Sequence, residues 1–137
     1  MLSPQETSDR LEIMAVLAQY ADAVDRHRLD LFDLVFTADA DLDYTEIAPF
    51  RGNRADIQEW LTIMPAERTY YHLMALPTIR IDGDTAETRT PCFNPMPAPE
   101  GLTFMGHWYK DQWIRTAEGW RIRERSFEVC YAASVKR

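Results

Sequence analysis

Four side chains in this 137-residue sequence combine reactive chemistry with apolar surroundings: Asp25, His72, Tyr20 and Tyr44. His72 interrupts the otherwise apolar segment TYYHLMALP, so one face of that segment has to accommodate an imidazole. An imidazole whose Nδ1–H is held by a carboxylate is locked in one tautomer, and its other nitrogen becomes a competent general base near neutral pH. Asp25 is the carboxylate best placed to supply that hold. Tyr20 or Tyr44 would then offer a phenolic donor to an oxygen on which negative charge develops. Each residue also has a plainer reading: Asp25 as a helix terminator beside His27, His72 as a hydrogen-bonded core histidine, and the tyrosines as core aromatics. His107 shares strand parity with Met105 and Tyr109, and is read either as lining the same cavity or as packed in the sheet.

These side chains depend on the elements that carry them. Ser3 is placed as an N-cap, Pro4 falls in the first turn, and acidic residues follow near the positive end of the dipole, which predicts a helix running to about His27. At about 100° per residue, Ile13, Met14, Leu17, Tyr20, Ala21 and Val24 form one stripe, with Glu12, Ala15, Gln19, Ala23 and Arg26 opposite. Asp25 falls at the edge of the stripe, Asp22 further out and Arg26 on the far side. Burying a carboxylate is costly unless it is paired, so an inward Asp25 implies a cationic or N–H partner. The remaining acidic residues read as solvated surface.

A second short helix is expected over Leu29–Phe36, and TADADLDY alternates as a half-buried strand ending at Tyr44. A third helix, about Arg54 to Leu61, follows the turn residues Arg51, Gly52 and Asn53. From Tyr70 onward the texture is β: TYYHLMALPTIRI, TAETRTPCF, LTFMGHWYKDQWIR and GWRIRERSFEVCY are rich in aromatic and β-branched residues. Asp82, Gly83 and Asp84 mark one tight turn and Ala117, Glu118 and Gly119 another, while NPMPAPEG lies between them. The order is helix, helix, strand, helix and a four-strand antiparallel meander, which indicates an α+β fold. One domain spans 1–137, without repeat or linker. The prolines from Pro91 to Pro99 read as a hairpin loop or pocket lid. Alternation puts Arg121, Arg123 and Arg125 on one strand face, read as a solvated sheet face or oligomer contact.

The chain has 15 Lys and Arg against 22 Asp and Glu, a formal charge of -7, which argues against a nucleic-acid or anionic-membrane partner. Cys92 and Cys130 lack the spacing of a disulfide framework or zinc site, and no Gly-rich phosphate loop, HExxH or GxSxG is present. Reduced thiols, an acidic opening segment unlike a signal peptide and no apolar run of about 20 residues point to a cytoplasmic protein.

YADAVDRHRLDLFDLVFTADADLDY, RGNRADIQEWL, the histidine strand and GHWYKDQWIRTAEGWRI together resemble the SnoaL-like branch of the nuclear transport factor 2 superfamily, over nearly the whole chain. The resemblance implies a cone-shaped α+β barrel, its curved and mostly antiparallel sheet wrapped around N-terminal helices and enclosing an apolar pocket. Scytalone dehydratase, bile acid 7-alpha-dehydratase and hexachlorocyclohexane dehydrochlorinase, lyases of that superfamily without cofactors, are built on an inward Asp and a His. Asp25 and His72 match those two positions, and Tyr20 and Tyr44 match tyrosines of individual members. Departures fall at Asn94, where other members place a second acid or base, at Met105, where one places an asparagine, and at Val129, near an arginine of another. With His107, these residues would contact substrate, and the changes make the pocket more apolar. The implied activity is a lyase or isomerase without cofactor or metal, acting on a small hydrophobic, cyclic or polyketide- or steroid-like molecule. The open alternatives are a non-catalytic ligand-binding or assembly domain and a subunit of a larger oxygenase. A long curved sheet is expected to pair into a homodimer or homotrimer.

Overall fold

The computed structural model describes residues 1–64 and 70–136. Helix α1 spans Pro4–Asp25, with the Ser3 hydroxyl accepting from the Glu6 backbone N–H and Pro4 in the first turn. It ends in a Schellman arrangement: Arg28 N–H donates to Ala23 C=O at 2.8 Å and His27 N–H to Val24 C=O at 3.1 Å. His27 takes the left-handed backbone this closure requires, at φ 53°. A 3-10 helix over Leu29–Leu34 follows and buries Phe32. The two pack against each other, which is why Ala23, expected on the polar side of α1, is fully buried.

Strand β1 covers Phe36–Asp43, β2 Arg51–Gly52, and helix α2 Arg54–Thr62. A reciprocal capping box starts α2: the Asn53 side chain accepts from Asp56 N–H, and the Asp56 carboxylate accepts from Asn53 N–H. Strands β3 (Leu73–Met74), β4 (Thr78–Asp82), β5 (Thr85–Ala98), β6 (Gly101–Thr116) and β7 (Gly119–Lys136) complete the chain. Seven strands form one curved, unclosed sheet in the order β2-β1-β7-β6-β5-β3, with β4 also on β5. All pairings are antiparallel except β1 with β7. The helices lie on its inner face, where Ile13, Leu17, Tyr20, Phe32, Tyr109, Trp113, Trp120, Ile122 and Phe127 share one core. This is the expected α+β cone.

Several expectations change. The strand expected over 69–81 is two short pieces, because Pro77 has no N–H to donate; Thr69 lies outside the described residues. The proline-rich stretch is strand rather than loop, and the turn shrinks to Pro99 and Glu100. Pro91, Pro95 and Pro97 share one parity on β5, so their missing N–H groups fall on the side away from β6.

The arginine trio is not one solvated face. Trp113 pairs with Ile122 while Gln112 pairs with Glu124, so Arg123 is the extra residue of a bulge that resets the alternation. Arg123 stays exposed, Arg125 turns inward to 1% exposure, and Arg121 is buried with Nη1 on Trp120 C=O and Nε on Asp33 C=O. Nor are the acidic residues other than Asp25 all solvated. Asp111 is buried beneath Arg125, and Asp9 is buried where α1 docks on the sheet. There Asp9 takes two bonds from Arg115, at 2.6 and 2.9 Å, and one from the Trp120 indole N–H at 3.1 Å.

Candidate active site

The site begins at the end of α1. A carboxylate in the last turn faces the negative end of the helix dipole, an unfavourable place that demands compensating donors. Asp25 has two, both from His72. Its Oδ1 stands 2.6 Å from the ring Nδ1, and its Oδ2 accepts the His72 backbone N–H at 3.0 Å. Burial alone would raise the Asp25 carboxyl, but the His72 ring and backbone bonds outweigh it and hold the group below the usual carboxylate range. Side-chain exposure is 7% for His72 and 20% for Asp25, so the pair is largely withdrawn from water.

A carboxylate accepting at Nδ1 fixes the Nδ1–H tautomer, leaving a lone pair on Nε2. Asn94, on the inner face of β5, points its Nδ2 at that nitrogen from 3.2 Å and so donates to it. The other end of the same amide, Oδ1, is buried without a partner among the described residues.

The structure brings Tyr20 and Tyr44 together. Their hydroxyls are 2.9 Å apart, and the Tyr20 ring stands edge-on to His72 with centroids 6.2 Å apart. Burial raises both phenols, so they remain protonated donors. Beneath them the Arg125 guanidinium faces both the Tyr20 and Tyr109 rings, at 4.2 and 4.1 Å, in the corner made by these edge-to-face rings, and is held by Asp111 through two bonds of 2.7 and 2.9 Å. This cation–aromatic cluster was missed in the sequence. Its signal was Asp111 on the same strand parity as the aromatics Tyr109 and Trp113 in β6, but the bulge that turns Arg125 inward has no mark in residue types.

His107, Met105 and Val129 fall on the same inner face: Met105 pairs across the ladder with Asn94, and Val129 with His107. Met105 and Val129 are half-buried. His107 is 3% exposed, packed edge-on to Tyr109 and near Phe127, with neither ring nitrogen bonded among the described residues. Burial, then the charges of His72 and Arg125, push its imidazole down to about 4. Cys92, also inward, is a free thiol pushed up to about 12 by burial, and Cys130 is a free exposed thiol. Among the described residues no three His, Cys, Asp or Glu side chains are grouped to hold a metal ion. Among the described residues no helix is long and apolar enough to cross a membrane.

A concavity of about 540 Å³ lies away from this site. It is a groove on the outer sheet face bordered by Asp41, Arg51, Arg80, Arg89 and Lys110, charged where the dyad's surroundings are aromatic and aliphatic.

The sequence matches the family model of the SnoaL-like domain over residues 5–126. An uncharacterized protein of Mycobacterium tuberculosis is 41% identical over 135 residues, covering 96% of this chain and 92% of that one. Among solved structures, a protein of Kribbella flavida superposes with a TM-score of 0.84 at 22% identity, covering 93% of this chain and 94% of that one. Hexachlorocyclohexane dehydrochlorinase LinA-type3 of Novosphingobium barchaimii superposes with a TM-score of 0.80 at 11% identity, covering 94% and 91%. At such identities the structural likeness speaks for the fold.

Proposed function

The chain belongs to the SnoaL-like domain family, and on that premise we propose that it is a cofactor-independent lyase or isomerase acting on a small hydrophobic, cyclic, polyketide- or steroid-like molecule. The observation that carries this reading is the two-point hold of Asp25 on His72, at 2.6 Å to the ring and 3.0 Å to the backbone. It gives Nε2 the role of base, taking a proton from a carbon next to a carbonyl or leaving group. Tyr20 or Tyr44 donates to the oxygen on which charge develops. General base catalysis supplies about 10²- to 10⁴-fold and a positioned donor a comparable factor. That suffices for an acidified C–H and not for an unactivated alkane. The hexachlorocyclohexane dehydrochlorinase neighbour eliminates by name, in keeping with a lyase on this fold.

The test is turnover of β-hydroxyketones and cyclic enones by the wild type and by His72→Ala. Loss of at least a hundredfold in the variant is expected; equal rates remove His72 from the role of base. A second reading, a binding domain without catalysis, draws on Asn94. Its N–H already occupies the Nε2 lone pair, so substrate has to displace the amide before a proton can move. No turnover by either protein, with ligand still bound, favours that reading.

Leu73, Leu102, Tyr131 and Val135 are each more than 40% exposed on the outer face at the far end of the sheet. They support a homo-oligomer, dimer or trimer, joined there. Free Cys92 and Cys130 accord with a cytoplasmic setting.

A further inference from the structure

Three buried polar atoms on adjoining inner strands have no partner among the described residues: Asn94 Oδ1 on β5, and Nδ1 and Nε2 of His107 on β6. Asn94 is 8% exposed and His107 3%. Each such atom carries a desolvation cost that an apolar side chain of similar shape would avoid. From this juxtaposition we infer that Asn94 and His107 form a recognition subsite for a neutral molecule carrying a hydroxyl group, which donates to Asn94 Oδ1. The inference rests on the reading of the His72 face as the substrate site, and specifies what that substrate must carry.

The complementarity at Oδ1 is one-sided. Asn94 Nδ2 gives one of its two N–H groups to His72 Nε2, whereas Oδ1, an acceptor, has no partner among the described residues, so the amide's unmet contact calls for a donor. A ketone, ether or carboxylate oxygen would meet it lone pair to lone pair; an O–H would not. A neutral imidazole at His107 presents one donor and one acceptor, and so suits a second oxygen of either kind. Charge narrows the class further. Burial keeps His107 neutral around pH 7, so it cannot offset an anion, and the buried Arg125 guanidinium is already paired with Asp111. Asp25, the carboxylate nearest the dyad, is already satisfied by His72. The walls beside the subsite, Met105 and Val129, are apolar. A hydroxylated hydrocarbon ring, whose hydroxyl lies next to the base, meets all of these conditions.

Cyclohexanol and fluorocyclohexane test this directly, since they share a shape, only one has an O–H, and neither has an acidified C–H to react. Both are titrated into ¹⁵N-labelled protein, following the Asn94 side-chain amide and the His107 backbone amide. The wild type should bind the alcohol about five-fold more tightly, the ratio one neutral hydrogen bond supports, and should move both signals. Asn94→Leu should bind the two within about two-fold of each other. Equal wild-type affinities, no response to the alcohol, or an undiminished preference in a folded Asn94→Leu overturns the subsite. Because binding is read without turnover, an alcohol preference together with full activity of His72→Ala would sink the base and leave the subsite standing.

Discussion

Asp25 holds His72 by two different atoms, the ring Nδ1 and the backbone N–H, so one carboxylate fixes both the imidazole tautomer and the path of the chain that carries it. A residue at a helix C-terminus with that double duty is unusual for a carboxylate, because the dipole opposes its charge there.

Asp25→Asn keeps the shape and removes the charge that stabilises an imidazolium. The variant should fold, shown by an unchanged circular dichroism spectrum, and should lose about 10²- to 10⁴-fold in kcat on a β-hydroxyketone with little change in KM. A loss confined to KM would assign Asp25 to binding.

The Asp9–Arg115 pair predicts an acid sensitivity unrelated to catalysis. The Arg115 bonds, against the opposing effect of burial, hold the Asp9 carboxyl well below the usual range. A carboxyl lowered in the folded state contributes stability that is fully present above its unfolded pKa, about 3.9, and is lost as pH falls toward the folded value. Asp9→Asn should therefore cost about 2–3 kcal/mol in urea unfolding at pH 7, and the difference from wild type should shrink below about pH 4. A difference that stays constant down to pH 2 would count against the pair.

Arg125 and Asp111 are both fully buried and bonded at 2.7 Å. Arg125→Met alone leaves an unpaired carboxylate and should cost about 3–5 kcal/mol, whereas Arg125→Met with Asp111→Leu should recover most of that loss. A double variant as unstable as the single would mean that Arg125 acts through the Tyr20 and Tyr109 rings rather than through Asp111.

Much of this was legible in residue types. Ser3, Pro4, Asn53 and Gly83 mark their turns and caps through local chemistry, and the amphipathic period of α1 placed Tyr20 inward and Asp25 at the edge. The contact of Asp25 with His72 spans 47 residues, so no local pattern encodes it; the pairing could be expected only from resemblance and from the need of a buried carboxylate for a donor. What stayed hidden depends on register. One extra residue at Arg123 reverses which side of β7 faces the core, and the strand parity of the prolines in β5 decides whether they break the ladder or border it.

The central claim is that His72 Nε2 removes a proton from carbon. Exchange of the α-protons of a cyclic ketone such as cyclohexanone for solvent deuterium, followed by proton NMR, measures that step without requiring a leaving group. Exchange should be at least about a hundredfold faster with the wild type than with His72→Ala at equal protein concentration. Equal exchange rates for the two proteins would contradict it.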